Sequence, residues 1–262
     1  MKYYMVDAFT DKIFHGNPAG VCVLEGTDWP EDRLMIQMAA ENNLPETAFL
    51  KKQEHGYQLR YFSPAYEVPL CGHATMASSF VVHQFLEPDA KEILFETKSG
   101  PLYIVPEQGG YRMDLPARPV HRVDNDPVME KAIGCPILES YRWENDVFAV
   151  VESPEYVQRM TMDFSILNTI PGLFNCCVTA KGTGEFDFVS RLFSPNYVIP
   201  EDPVCGSAHC ALTTLWAAKA EKSDFLAHQV SPRGGVLHCR LRQDRVLITG
   251  KAVLYMSGEI MI

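Results

Sequence analysis

The sequence predicts an α+β fold made of two similar halves, each a mostly antiparallel sheet with one or two helices. Three observations carry this. One stretch occurs twice, as RYFSPAYEVPLCGHA over 60–74 and RLFSPNYVIPEDPVCGSA over 191–208. In each copy the Cys-Gly pair opens a segment of helical composition. Short apolar runs separated by Gly-rich turns follow each of those segments. The repeat arginines, Arg60 and Arg191, lie 131 residues apart in a chain of 262. A repeat of that period is too long for a solenoid unit and indicates two joined half-chains.

The elements follow in order. Residues 3–9 alternate as a strand, 11–19 form a loop around Gly16, Asn17 and Pro18, and 20–24 (GVCVL) are a buried strand. A helix is expected over 30–41, with Pro30 at its first position, acidic Glu31 and Asp32 at its start, and Leu34, Met35, Met38 and Ala39 as the apolar stripe. Asn42 and Asn43 stop it. Pro45 keeps Leu44 extended, so Glu46 lies where a loop enters a strand. Strand 58–62 leads to the first repeat loop, and 72–85 reads as a helix. Strands 93–97, 102–105 and 111–115 complete the first half. The PARP stretch over 116–119 marks the boundary, giving domains 1–117 and 118–262, with the last strand able to pack on the first domain. The second half repeats the cycle: a helix over 127–133, strands 141–143 and 146–151, and a helix over 154–167. A strand over 186–193 then leads to the second loop, a helix over 207–219 and three closing strands. Counting back fourteen residues from each repeat arginine sets Cys177 opposite Glu46.

Composition narrows the function. Hydrophobic content of 47% and charged content of 21% describe a soluble globular chain. A net charge of -10 argues against nucleic acid as a partner, because phosphate binding needs a basic face. No apolar run reaches the length of a membrane span, and the first residues lack the apolar stretch of a signal peptide, so a cytoplasmic protein is expected. None of the eight cysteines forms a C-x-x-C pair or zinc-finger spacing with histidine. No metal is expected.

The candidate site residues come from the two loops and from Glu46. A glycine at a helix start lets a ligand approach the backbone, and the first-turn N–H groups bind a carboxylate. Gly72 and Gly206 hold those places, with His73 and Ser207 beside them. The two helices are expected to face each other across a cleft between the halves, where they would stabilise an enolate-like intermediate. At several positions two readings stand open. Glu46 is either a solvated loop carboxylate or a general acid/base desolvated by its apolar neighbours. His73 is either a ligand donor or satisfied by backbone. Ser207 is either a cap or a ligand, and Asp202 either idle or functional.

The motifs VDAFTDKIFHGNPAGVCVL, NLPETAFL, LRYFSP, EVPLCGHAT, RLFSP, EDPVCGSAHCAL and the closing SGEI span nearly the whole chain. Together they resemble the PhzF-type phenazine-biosynthesis family. That resemblance implies two pseudo-symmetric diaminopimelate-epimerase-like domains, each a sheet wrapped around a central helix, a homodimer, and no cofactor. It implies an isomerase that moves a proton within a small carboxylic acid of the trans-2,3-dihydro-3-hydroxyanthranilate type. It gives Glu46 the acid/base role, and Gly72, His73, Asp202, Gly206 and Ser207 the binding and orienting of substrate. Cys71 and Cys205 stand where the related racemases and epimerases carry two catalytic thiols, so a two-thiol epimerase is the alternative. A non-catalytic protein that binds small acids is the third reading.

Overall fold

The computed structural model describes residues 1–26, 28–107, 109–196 and 199–262. The chain divides into two compact units, Met1–Asp114 with Thr249–Ile262, and Leu115–Ile248. The division thus falls three residues before the boundary expected at 117, and the end of the chain belongs to the first unit. Among the described residues no helix is long and apolar enough to cross a membrane.

The first unit comprises β1 (Lys2–Ala8), β2 (Asn17–Leu24), α1 (Asp32–Asn42), β3 (Glu46–Lys52), β4 (Tyr57–Phe62), β5 (Glu67–Val68), α2 (Gly72–Val81), β6 (Ile93–Thr97), β7 (Gly100–Glu107) and β8 (Gly110–Pro116). The second comprises β9 (His121–Val123), α3 (Pro127–Ile133), β10 (Glu139–Trp143), β11 (Asp146–Val150), α4 (Pro154–Arg159), α5 (Phe164–Leu167), β12 (Asn175–Lys181), β13 (Phe188–Phe193), β14 (Glu201–Asp202), α6 (Gly206–Ala220), β15 (Asp224–Gln229), β16 (Gly235–Arg242) and β17 (Arg245–Gly250). The last strand, β18 (Ala252–Glu259), pairs antiparallel with β1.

The two units share one pairing scheme. In the first, β2 runs parallel to β3, β3 antiparallel to β4, β4 antiparallel to β5 and parallel to β6. In the second, β11, β12, β13, β14 and β15 repeat those relations in the same order. α2 and α6 fill the same connection. Both are buried along most of their length, including His73–Ser79 on α2 and Ala208–Thr213 on α6. A buried helix carrying hydroxyls must satisfy them internally. Thr75, Ser78 and Ser79 donate to the carbonyls of Cys71, Ala74 and Thr75 at 2.7, 2.8 and 2.8 Å.

The repeat motif has a structural cause. Arg60 forks onto Glu67 at 2.8 and 2.7 Å, and Arg191 forks onto Glu201 at 2.7 and 2.8 Å. Each guanidinium also covers the phenylalanine two residues on, Phe62 or Phe193, at 5.0 Å. The Arg-x-Phe pattern and the later acid therefore form one clamp that ties the loop back to the strand before it enters the helix. The aromatic expected in the second copy, Tyr197, lies outside the described residues with Val198.

Several sequence expectations are corrected. Asn17 and Pro18 belong to β2 rather than to a loop, paired with Ala8 and Asp7. α1 begins at Asp32, with Pro30 outside it, and Leu34 is exposed rather than on the inner face. The helix after Cys71 ends at Val81 and continues as a π-turn, Val82–Leu86. The helix expected over 154–167 is two, α4 and α5. Met160 leaves helical geometry (ψ 150°), and Asp163 caps a new start by accepting from the N–H groups of Ser165 and Ile166. The pairing of Cys177 with Glu46 also fails. Thr47 faces Phe62 across β3–β4, and Cys176 faces Phe193 across β12–β13. Phe62 and Phe193 are the same repeat position, so the counterpart of Glu46 is Asn175. The second hairpin turn is longer than the first, and gapless counting misses that.

Candidate active site

The first cluster is assembled by α1, β3 and α2. Asn43 takes a left-handed conformation (φ 50°) and its N–H returns to the carbonyls of Ala39 and Ala40, which ends α1. The Asn42 side chain donates to Thr47 Oγ1 at 3.1 Å, which fixes the entry into β3. Glu46 is the first residue of that strand, beside Ala19 of β2. Its Oε2 lies 3.3 Å from Nε2 of His73, the second residue of α2. On the other side of the ring, Nδ1 of His73 lies 3.4 Å from Sγ of Cys71.

Charge follows from burial here. The His73 side chain is 7% exposed, and desolvation pushes its pKa down to about 3. At neutral pH the imidazole is therefore uncharged, and its approach to Glu46 is a polar contact rather than an ion pair. Cys71 occupies the N-cap position of α2, and its side chain makes no capping hydrogen bond. The first turn of α2 thus presents backbone N–H groups at Gly72 and His73 next to the Glu46–His73 pair.

The second cluster is assembled by β14, α6 and β15. Asp202 ends β14, and its Oδ1 accepts from the N–H of Val204 at 3.1 Å. Cys205 is the N-cap residue of α6, and Gly206 opens the helix. Ser207 lies in the first turn, with its Oγ 3.3 Å from Cys205 Sγ. Of the two readings left open for Ser207, the cap is not the one the helix start uses, since Cys205 is the N-cap residue. Burial raises the Cys205 thiol strongly, with the nearby Asp202 carboxylate adding to it. Where the first cluster has His73, the second has Ser207, and where it has Glu46, the second has Asn175. Asn175 is occupied structurally: it donates to Asp146 at 2.8 Å and accepts from Ser194 at 2.6 Å.

Two residues that bond to this loop from β15 and its end carry no mark in the sequence. Gln229 accepts from the N–H of Cys205 at 3.0 Å and donates to the carbonyl of Asp202 at 2.6 Å. A single buried amide so sets the spacing of Asp202 and Cys205. Ser231 donates to the carbonyl of Pro203 at 2.7 Å. Gln229 sits on β15, a strand that sequence patterning does not single out, and no motif marks it. His209, one turn into α6, is fully buried. Its Nδ1 lies 2.7 Å from the Cys205 carbonyl, and its Nε2 has no hydrogen-bond partner among the described residues. Desolvation lowers its pKa to about 4.

Known proteins share this arrangement of chain. An uncharacterized isomerase of Pseudomonas aeruginosa is 39% identical over 260 residues, covering 99% of this chain and 98% of that one. The fold superposes on a PhzF-family phenazine biosynthesis protein of Enterococcus faecalis with a TM-score of 0.95 at 42% identity, over 100% of this chain and 99% of that one. A PhzC/PhzF protein of Clostridium difficile gives 0.93 at 40%, over 100% of both chains. A hydroxyproline epimerase of Agrobacterium vitis shares the fold alone, with a TM-score of 0.61 at 12% identity over 98% of this chain and 91% of that one. The architecture is therefore the mixed, sheet-dominated diaminopimelate-epimerase-like fold. Residues 6–258 match the family of phenazine biosynthesis-like proteins, PhzC-PhzF, and the chain belongs to that family.

Proposed function

We propose that this protein is an isomerase that moves one proton within a small carboxylic acid, with the Glu46 carboxylate as the group that takes and returns it. The observation that carries this reading is the Glu46 oxygen 3.3 Å from a buried, neutral His73 at the first turn of α2. Glu46 would remove a proton from the carbon next to the substrate carboxylate. The electron pair left behind moves into that carboxylate as an enolate. N–H groups of the first turn of α2, which no side chain of Cys71 caps, are donors suited to that charge. Protonated Glu46 then returns the proton to a second carbon conjugated with the enolate, and no other reactant is consumed. A neutral His73 suits this cycle, since it orients the carboxylate without fixing its charge. Gly206, Ser207 and Asp202 are assigned to orienting the substrate. A dihydro-hydroxyanthranilate type of acid fits this chemistry, because its ring offers the second, conjugated carbon.

The names of relatives support the isomerase class, and the shared fold of a hydroxyproline epimerase keeps the two-thiol mechanism in view. Desolvation raises the Cys205 thiol, which weighs against one of the two thiols as a base. The test is deuterium incorporation in heavy water, followed by NMR over a panel of amino acids and dihydroaromatic acids. Wild type should wash deuterium into at least one acid, and Glu46→Gln should not. Saturable binding without any exchange would replace this reading by that of a small-acid binding protein.

A further inference from the structure

We infer that Gln229 is a positioning residue, which orients the substrate indirectly by fixing Asp202 relative to the first turn of α6. The inference rests on the assignment of Asp202, Gly206 and Ser207 to orienting the substrate in the proposed function. Gln229 is the last residue of β15 and is 1% exposed. Its Oε1 accepts from the N–H of Cys205 at 3.0 Å, and its Nε2 donates to the carbonyl of Asp202 at 2.6 Å. The partners fix which way the amide points, because an N–H can meet only the oxygen and a carbonyl only the NH₂. One planar group therefore spans the loop from the end of β14 to the N-cap of α6. A buried amide bonded at both ends has few ways to move.

The first unit shows that the scaffold does not need this amide. Phe62 and Phe193 hold one repeat position, so Tyr57 and Phe188, five residues earlier on the same strands, match. They pair with Phe95 of β6 and Ala227 of β15. Counting on from that pair, Thr97 matches Gln229 and Ser99 matches Ser231. The two serines do one job. Ser99 donates to the carbonyl of Pro69 at 3.0 Å, and Ser231 to that of Pro203 at 2.7 Å. Each of those prolines stands two residues before the cysteine at the helix start. That tether is common to both loops. The other position differs. Thr97 Oγ1 donates to the carbonyl of Gly100 at 2.7 Å and accepts from the N–H of Ser99 at 3.1 Å, so it is spent in its own turn. Asp202 differs as well: it pairs with Leu192, and at the equivalent place Val68 pairs with Tyr61. The second loop thus departs from the first at two places, an acid for Val68 and an amide for Thr97, and one hydrogen bond joins them. A requirement of the scaffold would appear in both units.

The test uses anthranilate, whose ring carbon next to the carboxylate carries no proton, so binding is read apart from turnover. Affinity is measured by calorimetry on the full chain. Gln229→Met keeps the length of the side chain and loses both bonds. It should weaken binding at least about 10-fold, since misplacing an orienting group by about an ångström costs up to about 100-fold. In an Asp202→Asn background the same change should cost about 3-fold or less, because a residue that acts through a neighbour is not additive with it. A merely structural role would give the same loss in both backgrounds. Gln229→Glu has the same shape, keeps the acceptor for the Cys205 N–H and loses the donor to the Asp202 carbonyl. It should show the same non-additive loss, and it carries the test alone if Gln229→Met does not fold. Thr97→Val, at the equivalent place in the first unit, should leave anthranilate binding unchanged. Unchanged binding in the Gln229 variants, an equal loss in the Asp202→Asn background, an equal loss in Thr97→Val, or no binding by wild type would each overturn the inference. If anthranilate binds and weakens as described but wild type washes deuterium into no acid, the positioning role stands and the isomerase reading falls.

Discussion

The two units use the same strands in the same order but place different chemistry at equivalent points. At the entry to the second strand of the parallel pair the first unit has Glu46 and the second has Asn175. At the second position of the central helix the first has His73 and the second Ser207. One turn on, Thr75 Oγ1 donates to the Cys71 carbonyl at 2.7 Å, while His209 Nδ1 meets the Cys205 carbonyl at 2.7 Å. The scaffold contacts are thus kept with different residues, and the acid is kept once. The lesson is that the duplicated Arg–Glu clamp and the cysteine at each helix start hold two loops in one shape. Among the described residues of the two helix starts, only the first has a carboxylate within reach of an imidazole.

The largest effect that would break this comparison is on catalysis. Glu46→Gln should lower proton exchange by about 10²–10⁴-fold, the usual contribution of a positioned acid/base. Asn175→Ser should change it little, because Asn175 is committed to Asp146 and Ser194. Exchange rates by NMR for both variants check this, and an exchange loss in Asn175→Ser equal to that in Glu46→Gln would contradict the asymmetry.

The next effect is on stability. The Arg191 side chain is 9% exposed and also donates to the Met160 carbonyl at 2.7 Å. Arg191→Met strands Glu201 and should cost about 3–5 kcal/mol in urea unfolding. The Arg60 side chain is 19% exposed, with exposed Asp32 as its further partner, so Arg60→Met should cost less, about 1.5–3 kcal/mol. Equal losses would mean that the two clamps are not graded by burial.

A third test concerns pH. Folded His209 binds a proton near pH 4, against an ordinary value near 6.5. The unfolded chain therefore holds more protons between those values, and stability falls as pH drops. The loss from pH 7 to pH 4 is about 3 kcal/mol for this residue. His73 adds to it in the same direction, down to about pH 3. Thr75, at the place of His209 in the first unit, does not titrate. His209→Gln should flatten the acid limb by that amount in denaturant melts at the two pH values. The smallest effect is Thr75→Val, which removes the bond to Cys71 O and strands the buried Tyr61 hydroxyl, 2.6 Å away. A loss of about 1–3 kcal/mol is expected.

Much of this was legible in the sequence. The doubled motif announces the halves, because the clamp needs the same residues twice. The helix starts at the two Cys-Gly pairs follow from local composition. What was hidden depends on register and on space. The counterpart of Glu46 is set by strand pairing and by a longer hairpin turn, neither visible to counting. The break at Met160 separates two short helices whose apolar positions run on in one period. The contacts of His73 with Cys71 and Glu46 join residues that share no spacing rule, and Gln229 acts from a strand of unremarkable pattern.

The proposed function assigns the proton transfer to the single carboxylate and not to the pair of thiols. The most direct measurement compares deuterium wash-in to one exchanging acid by wild type, Glu46→Gln and the double variant Cys71→Ala/Cys205→Ala. Exchange is expected to disappear with Glu46→Gln and to persist in the double cysteine variant. Exchange that survives Glu46→Gln and disappears without the thiols would contradict the proposed function and assign the chemistry to a two-thiol epimerase.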